Sequence, residues 1–539
     1  MNKLTFRDLL DNNETPDDQK AFGYLDRESL TYGNVKTEIK KIKSYLIQAG
    51  IGKGDKVALL SANQPHWGLV YLAVTTYGAI IVPILPDFTV IQIENILIHS
   101  ECKMIFLSEK QTAKMEDIKL DFPQFSLDSL TLIKGSLDES KSFTSDLYDI
   151  EEDDIAALLY TSGTTGNSKG VMLSNKNLIS NVQACFEIIS ITAEDRFLSL
   201  LPLAHTYECT VGFLFPFSKG ASVTYLEGAP TPRILMDALA KVKPTFVLSV
   251  PLLIEKIYRS KVAAKFNAKK FISFLYKIKP FRILLNRVAG KKLLEAFGGS
   301  LRFFGIGGAP LAPEVETFLK DSHFPYSIGY GLTETAPLLA GDNPSIQMFR
   351  STGKPIFNGK LRIDSPKPEI TVGEIQAWGP NIMKGYFKDP EKTAEVFTED
   401  GWFKTGDLGT ISKDGRLFIR GREKNLILGS NGENIYPEEI ESILNENEFV
   451  AESIIMEMGK ELVAMIYLNA DKLAHDMKNL KLPMNKMDEY KTDLLEKIRK
   501  EANNHLNIQS RLSKMIEHKS PFEKTPSLKI KRFLYHKKK

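Results

Sequence analysis

Glycine, serine, threonine and a lysine crowd into the segment Tyr160-Thr161-Ser162-Gly163-Thr164-Thr165-Gly166-Asn167-Ser168-Lys169-Gly170, a mixture suited to wrapping phosphate. Glycines permit positive φ and let several backbone N–H groups converge on one anion, hydroxyls add short donors, and the lysine supplies a mobile point charge. The apolar run Ile155-Ala156-Ala157-Leu158-Leu159 ahead of it reads as a buried strand, and residues 177–182 behind it read as a helix start. The pattern therefore predicts strand, phosphate loop, helix. It departs from G-x-x-x-x-G-K-[ST], because Gly163 and Gly166 stand too close together and Gly170 follows the lysine, so a nucleotide chemistry other than that of P-loop NTPases is indicated.

The elements that must position this loop are legible from apolar periodicity. Strand-like runs at 103–107, 222–225, 246–248 and 301–305 alternate with helical stretches, which predicts α/β architecture with largely parallel sheets. Residues 57–86 carry no Asp, Glu, Lys or Arg and are long enough to span a bilayer, but Ser61, Asn63, Gln64, Pro65, His66 and Pro83 interrupt them. They parse better as strand (57–60), helix (67–77) and strand (79–84) of a buried unit. From 350 to 421 short runs between turns predict a small β subdomain, and beyond Arg422 the chain becomes charged and helical, with a strand at 461–467. The economical division is a large N-terminal domain, 1–423, and a smaller α+β C-terminal domain, 424–539.

A chain of 539 residues, 43% hydrophobic and 25% charged with net charge +3, excludes disordered and membrane-spanning classes and is too long for one core. Cys102, Cys185 and Cys209 give no disulfide framework and no paired metal-ligand spacing, and the N terminus shows no export signal, so a cytoplasmic location is expected. There is no internal repeat, and no nucleic-acid-reading module is recognisable.

Further motifs follow the loop in order: Leu201-Pro202-Leu203-Ala204-His205, Gly307-Gly308-Ala309-Pro310-Leu311, Gly329-Tyr330-Gly331-Leu332-Thr333-Glu334-Thr335, Gly373-Glu374 with Gly385-Tyr386, Lys404-Thr405-Gly406-Asp407-Leu408 and Gly421-Arg422-Glu423-Lys424. On these the chain, from about Leu30 onward, resembles the adenylate-forming superfamily of acyl-CoA synthetases, luciferases and peptide-synthetase adenylation domains, and most of all its long-chain fatty acyl-CoA ligases. The chemistry the resemblance implies makes sense of the residue types. A carboxylate is a poor acyl donor until adenylation converts its oxygen into a leaving group. Two anions must then meet, which calls for cations and positioned donors more than for a general base.

The resemblance implies ATP, Mg²⁺ and CoA as cofactor and co-substrates. Thr161, Ser162, Gly163, Thr164, Thr165, Gly166 and Lys169 would hold the β- and γ-phosphates, Thr333 would contact the α-phosphate, and Glu334 would help hold Mg²⁺, a hard cation suited to a carboxylate. Adenine would lie between Gly308-Ala309-Pro310 and Tyr330 with Gly331, and the ribose hydroxyls would meet Asp407 and Arg422. His205 and Gly307 would border the acyl entrance. Lys424 would be the hinge of a mobile C-terminal domain. In the tail, Lys524-Thr525-Pro526-Ser527-Leu528-Lys529-Ile530-Lys531-Arg532 has leucine where the family commonly has glycine, and alignment makes Lys529, ahead of Lys531, the adenylation lysine. Ser168 replaces the family's usual proline, and the loop 429–437 is one residue longer than its commonest form, so acceptor binding is not carried over.

Residues 261–292 hold ten Lys or Arg and no Asp or Glu, interleaved with residues such as Phe271, Phe274, Phe281 and Leu284. This suits either an anionic membrane surface, where fatty acids partition, or a solvated helical hairpin. The expectation is ATP-dependent ligation of a long-chain fatty acid to CoA by a cytoplasmic enzyme, peripheral on the membrane face if the first of these two readings of residues 261–292 holds. Ligation of an aryl acid, delivery to a carrier-protein thiol, and a non-catalytic nucleotide- or fatty-acid-binding protein stand as alternatives.

Overall fold

The uncharged stretch becomes a sandwiched helix in the computed structural model, which describes residues 3–161, 169–228, 231–267, 270–428, 434–459, 461–480, 482–525 and 530–535. Lys56–Leu60 and Ile80–Ile84 are parallel neighbours, and the helix Pro65–Tyr77 connects them. Every residue from Trp67 to Tyr77 is buried, as required of a helix that is apolar all round. It contacts Ile80–Ile84 of one sheet and Lys20–Tyr24 of another, and so lies between two layers. Trp67 stacks on Tyr71 and meets Phe213 edge to face. Truncation of so buried an aromatic to alanine costs about 3–5 kcal/mol.

The chain divides into two compact units: Met1–Ala309 with Phe318–Leu361 and Gln376–Lys404, and Pro310–Thr317 with Arg362–Ile375 and Thr405–Lys539. The first unit holds both large sheets. One has eight strands in the order Gly385–Tyr386, Lys169–Ser174, Ile155–Thr161, Ile80–Ile84, Lys56–Leu60, Cys102–Leu107, Gln124–Ser126 and Thr131–Lys134. The other has seven, in the order Tyr326–Ile328, Phe303–Ile306, Phe246–Ser249, Arg196–Leu198, Ser222–Tyr225, Lys20–Tyr24 and Leu30–Thr31, all parallel except the last pair. Parallel strands alternating with helices are the expected α/β pattern.

One local expectation is corrected. The phosphate loop does not lead straight into a helix: a strand, Lys169–Ser174, intervenes and pairs antiparallel with Ile155–Thr161 before the helix Asn175–Ile188 begins. A lysine and a glycine at its start disguise it. What holds it in the sheet is pairing on both sides, with Ile155–Thr161 and with Gly385–Tyr386. Ser174 then caps the helix through a reciprocal box with Asn177, worth roughly 1 kcal/mol.

Between 350 and 421 the short runs form strands, four of which, Lys360–Ile363, Gly373–Trp378, Phe403–Ile411 and Leu417–Arg422, make one sheet. The C-terminal part of the second unit is α+β. Val450–Met458 and Glu461–Leu468 form an antiparallel pair extended in parallel by Lys514–Glu517. Helices Pro437–Leu444 and Met487–Asn503 cover it over a core that includes Ile440, Ile455, Ile466 and Leu495.

Candidate active site

Loops after the carboxyl ends of parallel strands are where open α/β sheets bind ligands, and the seven-stranded sheet places the predicted residues there. Phe303–Ile306 and Tyr326–Ile328 are adjacent and in register, Ile306 opposite Ile328. Gly307, Gly308 and Ala309 follow the first, and Gly329, Tyr330 and Gly331 follow the second. Gly308 and Ala309 are exposed whereas Tyr330 is buried. A Cβ built on Gly308 would find only Val250 Cγ1, 3.9 Å away, so this backbone stands open to a flat group. Pro310 comes next in the chain.

Tyr330–Gly331 and Leu338–Gly341 form an antiparallel hairpin whose tip carries Thr333 and Glu334 in a single 3-10 turn. Gly331 cannot bear a side chain, because a Cβ would lie 1.9 Å from the Pro337 carbonyl oxygen. The tip is anchored from beneath. Asn181 and Asn381 each donate to the carbonyls of Thr335 and Leu338, at 2.9–3.2 Å.

Glu334 and Lys169, 165 positions apart in the sequence, meet the same side chain. Tyr386 donates its hydroxyl to Glu334 Oε1 at 3.0 Å, and the Lys169 ammonium lies 4.7 Å from the centroid of the Tyr386 ring. Thr161 sits beside Lys169 in the strand register. Ser162, Gly163, Thr164, Thr165 and Gly166 lie outside the described residues. The donor set fits a metal bound to a polyphosphate: one cation for phosphate and one carboxylate for a hard divalent ion. Among the described residues no cluster of three or more His, Cys, Asp or Glu forms a protein cage for a metal.

Below the hairpin lies a small cavity of about 30 Å³ with an overwhelmingly apolar lining. Gly329, Leu338 and Gly341 of the hairpin form one wall and Phe246, Phe303 and Gly305 of the sheet another, while Tyr207, Val211 and Phe215 close it. His205 does not line it. Its backbone N–H donates to Pro202 and its Nδ1 accepts from the Tyr207 N–H at 3.3 Å, so it starts the turn that presents Tyr207. Asn63 fixes the preceding segment, donating to Ser199 Oγ and the Leu201 carbonyl and accepting from the Leu203 N–H. Glu208, next to Tyr207, is fully buried. Its Oε1 accepts from Ser199 at 2.6 Å, Oε2 has no hydrogen-bond partner among the described residues, and burial pushes its carboxyl up to about 8.

In the second unit, Asp407 and Arg422 face each other across a hairpin and form an ion pair at 3.2 Å. Asp407 is buried and Arg422 half-buried. The turn before Asp407 is tied down by Thr405, which donates to the Ile375 carbonyl at 2.7 Å, and by Glu374, which accepts from the Gly406 N–H at 3.0 Å. Lys424 is exposed in a 3-10 turn directly after that hairpin. Lys529 lies outside the described residues. Around it, Lys524 pairs with Glu452, Lys531 with Glu523 and the mostly buried Arg532 with Glu441, so Lys531 is already engaged.

Sequence reasoning missed Tyr386, Asn63 and the cavity wall. The pair Gly385-Tyr386 stood among the motifs without a role; nothing local signals that a tyrosine will reach residues 217 and 52 positions away.

Residues 10–387 match the AMP-binding enzyme family, and residues 424–538 match the AMP-binding enzyme C-terminal domain family. The chain belongs to the AMP-binding enzyme family. Within it, the chain is 31% identical over 492 residues to the peroxisomal long chain acyl-CoA synthetase 6 of Arabidopsis thaliana, covering 83% of this chain and 70% of that protein. It is 28% identical over 471 residues to a long-chain-fatty-acid–CoA ligase of Mycobacterium bovis, covering 81% and 76%. In fold it is similar to ATP-bound MatB from Rhodopseudomonas palustris, with TM-score 0.79 at 22% identity over 99% of this chain and 98% of that one.

Proposed function

We propose that this chain is an AMP-forming ligase that joins a long-chain fatty acid to CoA. The observation that carries the reading is that one hairpin serves two chemistries: its tip presents Thr333 and Glu334 beside Lys169, and its stem walls an apolar cavity. A fatty acid has the same two ends.

In the first step a carboxylate oxygen attacks the α-phosphorus of ATP, the bond to the bridging oxygen breaks, and pyrophosphate leaves. In the second the CoA thiol, losing its proton, attacks the acyl carbon, and AMP departs with the former carboxylate oxygen. The loop 161–166 and Lys169 hold the β- and γ-phosphates, Thr333 the α-phosphate, and Lys529 bridges it to the incoming carboxylate. Glu334 would hold Mg²⁺, which would supply charge neutralisation for the departing pyrophosphate. Gly308, Ala309 and Pro310 with Tyr330 and Gly331 enclose adenine, and Asp407 with Arg422 receives the ribose. Gly307 and the segment carrying His205 border the acyl entrance. Residues 424–539 act as a mobile domain hinged near Lys424.

Pyrophosphate release across a panel of carboxylic acids, with and without CoA, tests this. Release that rises with chain length and yields CoA thioester supports it. Release on aryl acids alone, or thioester formed only on a carrier protein, replaces the substrate, and no release with any acid leaves a binding protein.

The helices Ala264–Asn267, Lys270–Tyr276 and Lys279–Ala296 support peripheral attachment to an anionic membrane. Asn286 is buried, with Tyr276 donating to it, and Arg282 is tied to Asp321, so one side docks on the first unit. Phe271, Phe274, Phe281 and Leu284 are 71%, 63%, 46% and 59% exposed among the lysines. No helix among the described residues is long and apolar enough to cross a membrane. Each engaged basic residue adds up to about 1 kcal/mol near an anionic bilayer. Salt-sensitive cosedimentation with anionic liposomes, lost on charge reversal at Lys269 (outside the described residues), Lys270, Lys277 and Lys279, is the expected result. Wild-type protein that stays in the supernatant at low salt contradicts membrane attachment and leaves these helices a solvated hairpin.

A further inference from the structure

We infer that Tyr386 is a two-sided positioning residue, its hydroxyl setting the metal-ligating carboxylate and its ring setting the phosphate-binding lysine. The inference rests on the nucleotide reading above and assigns a role to a residue that reading leaves idle.

Tyr386 is held rigidly. It sits on an edge strand paired antiparallel to Lys169–Ser174, with Tyr386 opposite Val171. Backbone bonds flank it on both sides, Lys384 N–H to Met172 and Phe387 N–H to Gly170, at 3.0 and 2.7 Å. Its own N–H donates to Thr393 Oγ1 at 2.9 Å. Gly385 before it has φ +128°, and a Cβ there would lie 2.6 Å from Thr393, so a side chain at 385 would displace the strand that aims the ring. The ring is almost wholly buried, 6% exposed.

Both neighbours depend on it. Glu334 is gripped twice by this segment: Met383 N–H donates to its backbone carbonyl at 2.9 Å, and the Tyr386 hydroxyl donates to Oε1 at 3.0 Å. Among the described residues Tyr386 is the one side chain that hydrogen-bonds this carboxylate. With Oε1 held, the carboxylate keeps one orientation and Oε2 is the oxygen to offer a cation. Lys169, whose long side chain loses considerable rotamer freedom when fixed, rests on the face of the same ring at 4.7 Å, within the range of a cation–π contact. An anion arriving with its metal therefore finds cation and carboxylate already spaced by one rigid group, which lowers the ordering cost of binding.

The two edges can be separated by substitution. Tyr386→Phe keeps the ring and deletes the hydroxyl; Tyr386→Leu removes both. Equilibrium binding to the full chain is read with two probes: Mn²⁺ by electron paramagnetic resonance in the presence of ATP, and ATP alone by calorimetry with EDTA present. Tyr386→Phe should weaken Mn²⁺ binding by about five- to tenfold, the scale of a lost hydrogen bond to a charged group, with metal-free ATP affinity retained. Tyr386→Leu should weaken Mn²⁺ binding comparably and metal-free ATP by a further two- to fivefold or so, the scale of an exposed cation–π contact. If Tyr386→Phe binds Mn²⁺ as wild type does, or if both variants lose both ligands in parallel, the two-sided role is overturned. If the wild-type chain binds neither ATP nor Mn²⁺ with ATP, the nucleotide reading fails and takes this inference with it.

Discussion

Two glutamates, one at the tip of the hairpin and one behind Tyr207, show how differently one residue type is used. Glu334, at the hairpin tip, is half-buried and held by a tyrosine hydroxyl in company with a lysine. Glu208, behind Tyr207, is fully buried, carries one oxygen without a partner among the described residues, and titrates near 8 because burial outweighs its hydrogen bond from Ser199. The first is placed to offer an oxygen to a cation. The second is suited to be neutral, since an ionised carboxylate with an unpaired buried oxygen is costly. On the proposed reading, the charge chemistry falls to the rim of the site and the acyl tail to the floor beneath it.

That contrast sets the order of the expected effects. On the rim, Lys529→Ala should lower acyl-AMP formation by several hundredfold, the scale of losing ~3–4 kcal/mol of charge stabilisation in the transition state. Thioester formation from supplied acyl-AMP should be largely spared, and equal loss in both half-reactions would contradict the assignment. In the floor, Gly341→Ala adds a methyl that meets Ile188 Cδ1 at 3.0 Å beside the cavity. It should cut kcat/KM for long acids about tenfold, as a methylene-sized misfit does, while short acids react normally; a uniform loss would remove the cavity from the acyl path. Glu334→Gln should shift the Mg²⁺ requirement several-fold upward, and an unchanged titration would break the contrast.

The smallest effect concerns Glu208. Its folded-state value near 8 lies above its ordinary 4.5, so between those pH values the folded chain holds a proton the unfolded chain has lost. Stability contributed by that proton is present below 4.5 and is lost as pH rises toward 8. Glu208→Gln should flatten this decline in thermal-unfolding scans and leave the Mg²⁺ requirement unmoved. A Mg²⁺ shift as large as that of Glu334→Gln would erase the distinction between rim and floor.

Much of this was legible in the sequence because it is written locally. The uncharged run at 57–86 resolved into strand, helix and strand as expected, since a helix apolar on all sides and two flanking strands leave an unambiguous pattern. The motifs drew attention to Thr333, Glu334 and Lys169, and the structure brings the last two to one tyrosine. What escaped was made by pairing between distant segments. The strand Lys169–Ser174 depends on neighbours on both sides, and Tyr386 acquires its partners only when an edge strand from 385–386 docks beside it. The cavity is likewise assembled from two helical segments, three strands and a hairpin, none of which carries its signature alone.

Attack of a fatty carboxylate on the α-phosphorus of ATP carries one carboxylate oxygen onto the departing AMP, a transfer that can be followed by isotope. It is tested most directly by supplying a long-chain acid labelled with oxygen-18 in its carboxyl group, together with ATP, Mg²⁺ and CoA, and recovering the nucleotide by mass spectrometry. The expected product is AMP bearing one labelled oxygen, with CoA thioester formed in equal amount. Unlabelled AMP, or ADP and labelled inorganic phosphate in its place, would contradict it.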